Sequence, residues 1–239
     1  MAAIIVNLEC ITNMHVGNGD VNYSIIDNEV ERDVVTGYPT INASGVKGAL
    51  REYFMKKHAD IDINQINEIF GGESAGKLRF LNADMIAIPA RASEGSQAYY
   101  MISTMEAVGR YQEKCQAFLK KEMNVVAKKT EEIRAAEGIK LEDAVSIMGK
   151  EINILSDEDF RKISLPVLAR NNLENGKSTN LWYEEIVPHK SLFSFAVLTE
   201  DADQELLNYF KNEIDNQMVQ FGGNASIGYG LCKVSIMEV

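Results

Sequence analysis

The sequence predicts an α+β fold in which a strand–helix–strand unit occurs twice, once toward each end of the chain. Residues 3–12 alternate between apolar and polar side chains, as in a half-buried strand, and residues 46–57 carry apolar side chains at helical spacing. Toward the other end, an apolar strand precedes an amphipathic helix over residues 201–218, and another strand follows that helix. This order is typical of the split βαβ unit, so we expect a ferredoxin-like (RRM-like) domain that carries an insertion.

The N-terminal unit contains two further predicted elements. The helix over residues 46–57 has Ser44 available as its N-cap. A shorter helix, "DINQINEIF", ends at the Gly71-Gly72 pair. The segment "KLRFLNADMIAIP" is predicted to be a strand with a bulge near Asn82.

The middle of the chain is predicted to be mostly helical. Residues 104–150 are highly charged and predict helices, with Gly138 as a break. "SDEDFRKI" begins another helix, in which Ser156 and Asp159 resemble a capping box. Asn175-Gly176 lies inside "VLARNNLENGKSTNLWYEE" and is the dipeptide typical of a two-residue hairpin. We therefore expect residues 91–189 to be an insertion of helices and one hairpin.

The composition limits the class of protein. With 46% hydrophobic and 25% charged residues, the chain is typical of a globular protein. The net charge of −11 argues against a free-standing nucleic-acid binder, although much of the acid is concentrated in a few segments. No apolar run approaches ~18 residues and no signal peptide is visible, so we expect no membrane span. Three scattered cysteines favour reduced thiols in the cytoplasm over disulfides or zinc.

Two short motifs resemble nucleotide-binding or RNA-binding sequences, and both matches are weak. "GGESAGKL" nearly matches GxxxxGK[ST], but Leu78 replaces the hydroxyl that binds magnesium, so a turn is the better interpretation. "GYGLCKV" partly matches the RNA-recognition octapeptide, but Leu231 and Val234 replace the aromatic residues that would stack on bases.

Four polar residues near the N-terminus are candidates for chemistry or binding, each with a plainer alternative. His15 follows the first strand in a Gly/Asn-rich loop, where a solvated histidine is the simpler interpretation. Asp27 lies in a segment with few helix signals, where aspartate usually forms a turn or a cap. Lys47 and Arg51 are four residues apart, so they either bracket a phosphate at a helix N-terminus or form a solvated basic face.

The segment "QFGGNASIGYGLCKV" places four of the 17 glycines within nine residues: Gly222, Gly223, Gly228 and Gly230. Glycine costs more backbone entropy on folding than any other residue, so such a cluster predicts a close approach that side chains would block. Backbone amides in such a loop can bind an anion or contact another surface closely.

Several segments together resemble the RAMP proteins, which are backbone subunits of CRISPR effector complexes. "DNEVERDVVTGYPTINASGVKGALREYF" is similar to their "D-x-P-x-x-R-D-x-x-T-G-x-P-x-I-P-G-S-S-L-K-G-x-L-R" block, and "FGGNASIGYG" to their C-terminal glycine-rich loop. "LRFLNADMIAIPARASEG" and "LWYEEIVPHKSLFSF" resemble the target-cleaving subunit of the type III-B (Cmr) effector more than its type III-A counterpart. The segment Asn42-Ala43-Ser44-Gly45 departs from the family's Pro-Gly-Ser-Ser.

The resemblance implies a single domain over residues 1–239, with a ferredoxin-like palm at about 1–90 and 190–239. Helical fingers and a thumb-like β-hairpin would be inserted at about 91–189. Such subunits polymerise along a guide RNA beside other effector subunits and cut the paired single-stranded target RNA.

The resemblance also assigns roles to individual residues. Asp27 matches the cleavage aspartate, with a divalent ion (Mg²⁺ or Mn²⁺) as the implied cofactor and Asp27 as its ligand, and His15 matches a nearby histidine. The segment Tyr183, Glu184 and Glu185 lies near the thumb and would help to position the target. The residues expected on the guide RNA are Ser44, Lys47, Arg51, Arg91, Arg170, Gly222, Gly223, Gly228 and Gly230.

Three functions follow, and they belong to different classes. The leading hypothesis is a metal-dependent endoribonuclease subunit in a guide-RNA filament. The second keeps the fold and the guide RNA without the cleavage chemistry. The third is a ferredoxin-like regulatory or scaffold domain that binds no nucleic acid.

Overall fold

The architecture is that of a computed structural model, which describes residues 1–19, 25–57, 62–123, 125, 128–135 and 138–237. Its strands are β1 (Ala2–Cys10), β2 (Thr40–Ile41), β3 (Arg79–Phe80), β4 (Ala83–Glu94), β5 (Tyr99–Thr104), β6 (Lys128–Ala135), β7 (Lys140–Ile147), β8 (Lys150–Leu155), β9 (Val167–Glu174), β10 (Lys177–Glu185), β11 (Leu192–Thr199), β12 (Met218–Gln220) and β13 (Leu231–Met237). Its α-helices are α1 (Ala43–Lys57), α2 (Ile63–Phe70), α3 (Met105–Leu119), α4 (Asp157–Lys162) and α5 (Gln204–Ile214).

The mixed α/β fold is confirmed, and the strand order at the two ends of the chain is consistent with the ferredoxin-like arrangement. β13, β1, β11 and β4 lie side by side in that order, and each neighbouring pair is antiparallel. In a βαββαβ unit whose helices are α1 and α5, the strands β1, β4, β11 and β13 are the first, second, third and fourth. Their order across the sheet is therefore fourth, first, third, second, which is the ferredoxin-like order. β12 continues the sheet at one edge, and β5, β8, β7 and β6 continue it beyond β4.

Helices cover both faces of this sheet, so β1 is buried on both sides. On one face, Leu8 packs in a core with Phe54 of α1 and Phe210 of α5. On the other face, Ile5 belongs to a second core that α3 covers. The alternation of β1 predicted a half-buried strand, but Asn7 on the predicted solvent side is only 4% exposed. The difference arises because α3 belongs to the insertion, which the local pattern of β1 does not reveal.

The prediction of helices over residues 104–150 is correct for α3 and wrong for residues 128–135 and 140–147, which are strands. β6, β7 and β8 form an antiparallel ladder, and β8 joins the sheet by parallel pairing with β5. Lys, Glu and Ala favour helices, which explains the error. Met148 and Gly149, however, both have positive φ (53° and 71°), as a tight hairpin turn requires. The insertion is therefore only partly helical.

Local predictions at turns and caps had mixed outcomes. The hairpin is confirmed, since β9 and β10 pair antiparallel around Asn175-Gly176, with φ of 50° and 79°. Ser156 caps α4 by accepting a hydrogen bond from the Asp159 N–H at 3.1 Å. Ser44 is not an N-cap, because α1 already begins at Ala43, whose N–H donates to Asn82 Oδ1 at 2.8 Å. None of the helices in the described ranges is long and apolar enough to span a bilayer.

Candidate nucleic-acid interface

The candidate site is built on strand β10, along the edge of the strand that does not pair with β9. Asn28 forms a parallel bridge with Glu184 on that edge. Just before it, the Asp27 N–H donates to the Tyr183 carbonyl at 3.1 Å, and Asp27 Oδ2 accepts the Tyr183 N–H at 2.8 Å. Asp27 remains exposed. Its carboxylate is thus oriented by backbone while still facing solvent.

His15 is anchored to the same strand edge. Its Nδ1 lies 2.8 Å from the Glu185 carbonyl, and because a carbonyl only accepts, Nδ1 carries the proton. Its Nε2 lies 4.0 Å from Glu184 Oε1. Tyr183 and Glu185 are two residues apart, so the anchors of Asp27 and His15 are roughly 7 Å apart along the strand. The alternative of a solvated histidine is wrong, since His15 is only 8% exposed.

The two glutamates of the "LWYEE" segment are buried and engaged within the chain. Glu185 accepts hydrogen bonds from the Val30 N–H at 3.1 Å and from Arg32 Nη2 at 2.5 Å, so it ties down the segment after Asp27. Glu184 Oε1 accepts from Asn224 Nδ2 at 2.7 Å, and the segment is thereby joined to the glycine-rich loop. Both carboxylates hold the frame of the site, whereas Tyr183 is 38% exposed.

The four glycines of the glycine-rich loop fall into two pairs, which differ in what a side chain at each position would meet. A Cβ on Gly222 would lie 2.3 Å from the His15 carbonyl oxygen, and a Cβ on Gly230 would lie 1.8 Å from that of Phe221. These two glycines are therefore required by contacts within the chain. At Gly228 a Cβ would meet nothing within 4 Å, and Gly223 contacts His15 only through its N–H, at 2.9 Å. Gly223 and Gly228 are exposed and keep their surfaces open.

Arg170 on β9 links the hairpin to the same loop. Its guanidinium lies over the Tyr229 ring, 5.2 Å from the centroid, and donates to the Tyr229 hydroxyl at 3.0 Å. Nη1 is also 3.9 Å from Glu184 Oε2. The sequence suggested RNA as the partner of Arg170, but these contacts already occupy much of its guanidinium.

The other predicted RNA-binding residues differ in how exposed their side chains are and in whether those side chains already make hydrogen bonds. Arg51 is partly buried and donates to the Gly71 carbonyl and, at 2.9 Å, to Asn67 Oδ1, so it joins α1 to the end of α2. Lys47 and Ser44 are exposed in the first turns of α1, and Arg91 is exposed on β4. Of the predicted pair of cations on α1, only Lys47 faces solvent.

An ion-pair network fixes the segment after Asp27 to the sheet. Arg110 of α3 lies 3.3 Å from Asp33 and 3.5 Å from Asp84, and Lys114 Nζ lies 2.9 Å from Asp84. Burial by itself would raise the pKa of Asp33, but hydrogen bonds from Thr36 and Arg110 bring that pKa below its ordinary value. Burial lowers the pKa of the Lys114 ammonium despite the opposing effect of Asp84.

The side chains around Asp27 decide whether the expected divalent ion could be held there. In the described part of the chain, no group of three or more His, Cys, Asp or Glu is placed to hold a metal. Mg²⁺ is nevertheless often held by one or two carboxylates together with substrate phosphates. The exposed Asp27 carboxylate fits an ion of that kind, which substrate oxygens would complete.

Three residues of this site were not identified from the sequence. Arg32 lies in the Arg-Asp pair of the N-terminal block, and that pair was a usable signal. Asn224 and Tyr229 had no such signal, because their partners Glu184 and Arg170 are distant in the sequence.

Comparisons with known proteins find relatives that match nearly the whole chain. The family model of the RAMP superfamily matches residues 7–233. The CRISPR system Cmr endoribonuclease Cmr4 of Pyrococcus furiosus is 28% identical over 290 aligned residues, which cover 100% of this chain and 97% of that protein.

Two solved structures share the fold. A chain in the type III-B Cmr-beta complex bound to cognate target RNA superposes with a TM-score of 0.82 at 22% identity, covering 99% of this chain and 97% of that one. Oligomeric Cmr4 from Pyrococcus furiosus superposes with a TM-score of 0.71 at 23% identity, covering 100% of this chain and 99% of that one.

Proposed function

The chain belongs to the RAMP superfamily, and on that premise we propose that it is a backbone subunit of a type III-B CRISPR effector. In this role it binds a guide RNA, assembles with further copies and other subunits, and cuts the paired target RNA in the cytoplasm. Full-length similarity to a protein named as an endoribonuclease supports the activity. The observation that carries the proposal is the Asp27 carboxylate, which is exposed yet held by the Tyr183 N–H.

We assign Asp27 to the reacting atoms of the target RNA. The Tyr183 N–H holds Oδ2, and within the described residues Oδ1 accepts no hydrogen bond. A carboxylate so placed can take the proton of a 2′-hydroxyl as that oxygen attacks the adjacent phosphate. The bond to the next nucleotide's 5′-oxygen then breaks and that oxygen takes a proton from water, which leaves a 2′,3′-cyclic phosphate and a 5′-hydroxyl. In the alternative role, Asp27 would hold a divalent ion together with phosphate oxygens, and that ion would supply stabilisation of the charge that develops on the phosphate.

His15 acts in this proposal through the strand that it binds. Its Nδ1–H donates to the Glu185 carbonyl, and its own carbonyl accepts the Gly223 N–H at 2.9 Å. It therefore fixes β10 and the glycine-rich loop to each other, and Tyr183 on β10 in turn holds Asp27. We treat His15 as a positioning residue.

The guide RNA is assigned to the exposed residues on the palm. Lys47 and Ser44 lie in the first turns of α1, where free N–H groups and the helix dipole favour a phosphate. The open glycines Gly223 and Gly228 let backbone approach closely. We divide the chain into a palm (about 1–90 and 190–239) and an insertion with fingers and thumb (about 91–189).

The test is target cleavage by the complex assembled on a guide RNA. We expect a matched target to be cut and an unmatched RNA to remain intact. A target with a 2′-deoxy nucleotide at the cleaved position should resist, because the attacking oxygen is missing. Cleavage of the deoxy target would show instead that water attacks the phosphate. Retention of guide RNA without any cleavage would identify the chain as a non-catalytic coat, and absence of bound RNA would favour a scaffold domain.

A further inference from the structure

Two of the three cysteines, which are far apart in the sequence, lie against each other in the sheet. Cys10 is the last residue of β1, Cys232 is the second residue of β13, and the two are directly opposite in the antiparallel pairing of these strands. Their sulfur atoms are 3.7 Å apart, and both side chains are fully buried. All three cysteines lie in the described ranges and are free thiols. The fold thus creates a pair of neighbouring thiols from cysteines that are scattered along the chain.

The two cysteines occupy the kind of strand pair in which a cross-strand disulfide can form. In an antiparallel sheet, opposite residues alternate between hydrogen-bonded pairs and closer, non-hydrogen-bonded pairs, whose Cα atoms are about 4.5 Å apart. At the next position along β1, the Ile11 N–H donates to the Leu231 carbonyl at 2.8 Å, whereas the Cys10 N–H donates to the Ser191 carbonyl at 2.9 Å. Cys10 and Cys232 are therefore a non-hydrogen-bonded pair. The Cα separation typical of such pairs lies within the range of about 4.4–6.8 Å that disulfides span.

Only a small movement separates the two thiols from a covalent bond. The sulfur atoms of a disulfide are about 2.05 Å apart, so these two would have to approach each other by less than ~2 Å. Rotation of the two side chains is the movement required, because the strands are already paired at these residues. The reduced pair is therefore arranged for a disulfide before any oxidant arrives.

The pair lies at the base of the glycine-rich loop. Gly230 precedes Cys232 by two residues, and Cys232 Sγ donates a weak hydrogen bond to the Gly230 carbonyl at 3.4 Å. On the partner strand, Cys10 is followed by the segment that carries His15. A bond between the two sulfur atoms would join the first and last strands of the palm through residues that are 222 positions apart.

The closed sheet keeps the thiols unreactive. The hydrogen bond from Cys232, together with burial, raises the pKa of the Cys10 thiol well above its ordinary value. Because the thiolate is the reactive form, this protects Cys10 while the sheet is closed. On its outer side, however, β13 pairs only with the three residues of β12. Local opening at this edge gives a small oxidant access to the pair.

We propose that Cys10 and Cys232 form a redox-responsive staple, which a peroxide closes and a dithiol reopens. One thiol attacks hydrogen peroxide, so that its sulfur is oxidised to a sulfenic acid and one water leaves. The second thiol attacks that sulfur, the S–S bond forms and a second water leaves. Two thiols and one peroxide thus give one disulfide and two waters. The closed staple makes the chain harder to unfold, because a cross-link between distant residues restricts the unfolded state.

The first test identifies which thiols react in the folded wild-type chain. The chain is treated with hydrogen peroxide, then denatured and labelled with a maleimide, and the labels are located by peptide mass spectrometry. We expect three labelled cysteines before treatment and only Cys115 after it, together with a peptide in which Cys10 is linked to Cys232. Cys115 is the internal control, because its Sγ contacts Met237 Sδ at 3.6 Å rather than another thiol. The same treatment in denaturant should give all three possible pairings.

The second test measures what the staple does to stability. Oxidised wild type should melt about 5 °C or more above the reduced chain, and dithiothreitol should reverse the rise. Cys232→Ala receives the same peroxide and should show no rise, which corrects for methionine oxidation, since dithiothreitol does not reverse that. Cys115→Ala is the matched control and should retain the full rise. The wild-type mass measurement decides the pairing even if a variant folds poorly.

Several results would overturn the staple. These are three labelled cysteines after peroxide treatment, irreversible oxidation of Cys10 without a link to Cys232, and the same mixture of pairings in the folded and denatured chain. A disulfide between two copies would also contradict it, as would a Cys10–Cys232 bond that leaves the melting temperature unchanged or lower. None of these measurements uses RNA, so their outcome is independent of the proposed function.

Discussion

The residues that the sequence marked for RNA fall into two sets, and the sets differ in how those residues are used. One region, the seam, joins β10, the His15 segment and the glycine-rich loop, and its marked residues are buried or in tight contact: His15, Glu184, Gly222 and Gly230. The other set, which we call the rim, is exposed: Asp27, Gly223 and Gly228 belong to segments that contact the seam, and Lys47 lies on α1. The same residue types therefore serve the frame in one region and remain available to ligands in the other.

The difference shows that some residues of a sequence motif position its other residues. The Asp27 carboxylate is oriented by the Tyr183 N–H, and Tyr183 lies on a strand that His15 and Glu185 anchor. Changes in the seam should therefore act through stability, whereas changes in the rim should act on RNA at constant stability.

The largest expected effect comes from a matched pair of glycine substitutions. Gly230 and Gly228 both have positive φ, 73° and 84°, so alanine should cost each about 1–2 kcal/mol for the left-handed backbone. At Gly230 the new Cβ would also lie 1.8 Å from the Phe221 carbonyl oxygen, whereas at Gly228 it meets open space. Gly230→Ala should therefore destabilise the chain by more than ~3 kcal/mol in total.

Chemical denaturation of both variants measures this difference directly. Equal losses of stability for Gly230→Ala and Gly228→Ala would contradict the close contact between Gly230 and the Phe221 carbonyl oxygen. Loss of guide binding by Gly228→Ala beyond its small loss of stability would place that glycine on the RNA-facing rim.

An intermediate effect is expected at Arg32, which ties the segment after Asp27 to the seam. Arg32→Ala leaves the buried Glu185 carboxylate with the Val30 N–H and without its cation. Breaking a buried pair costs up to ~5 kcal/mol, but the Arg32 side chain is 39% exposed, so about 2 kcal/mol is expected. Glu185→Gln in the same background should recover part of the loss, since a neutral amide needs no cation. A double-mutant cycle measured by denaturation checks this, and additive losses would contradict the proposed pairing.

The smallest effect on stability is expected at Lys47, which makes it the sharpest probe of the rim. Lys47→Ala should change stability by no more than ~0.5 kcal/mol, because the side chain is exposed. If Lys47 contacts a guide phosphate, the slope of log affinity against log salt should fall by ~0.7–0.9. Arg51→Ala is the contrasting variant, because it removes hydrogen bonds to Gly71 and Asn67 and should lower stability. An unchanged salt slope for Lys47→Ala would show that this lysine is merely solvated.

The palm was predictable from the sequence, and the insertion was not. In β1, α1, β11 and α5, the spacing of apolar side chains reflects packing against other elements of the palm. Each of these elements can therefore be identified from its own stretch of sequence. The segments that form β6, β7 and β8 have the composition of helices, yet the turn at Met148-Gly149 and the pairing of β8 with β5 make them strands. Pairing with a distant strand is a tertiary effect that local composition does not contain.

The candidate site was predictable as a set of residues but not as a geometry. The sequence identified His15, Asp27 and the "LWYEE" segment, and the structure brings all three onto one strand edge. Which residues face inward was not predictable, because the partners of Glu184 and Arg170 lie in the glycine-rich loop far along the chain.

The central claim is that the rim carboxylate Asp27 cuts the target while the seam only positions it. Asp27→Asn removes the charge and keeps an oxygen that can accept the Tyr183 N–H, so the loop and RNA pairing should survive. Glu158→Gln is the control, because the Glu158 side chain is 84% exposed on α4. The measurement is the rate of target-RNA cleavage by the assembled complex, with target binding and melting temperature followed in parallel. We predict that Asp27→Asn slows cleavage by a factor on the order of 10² or more at unchanged binding and stability. Cleavage at the wild-type rate, or an equal loss of binding and cleavage, would contradict the assignment.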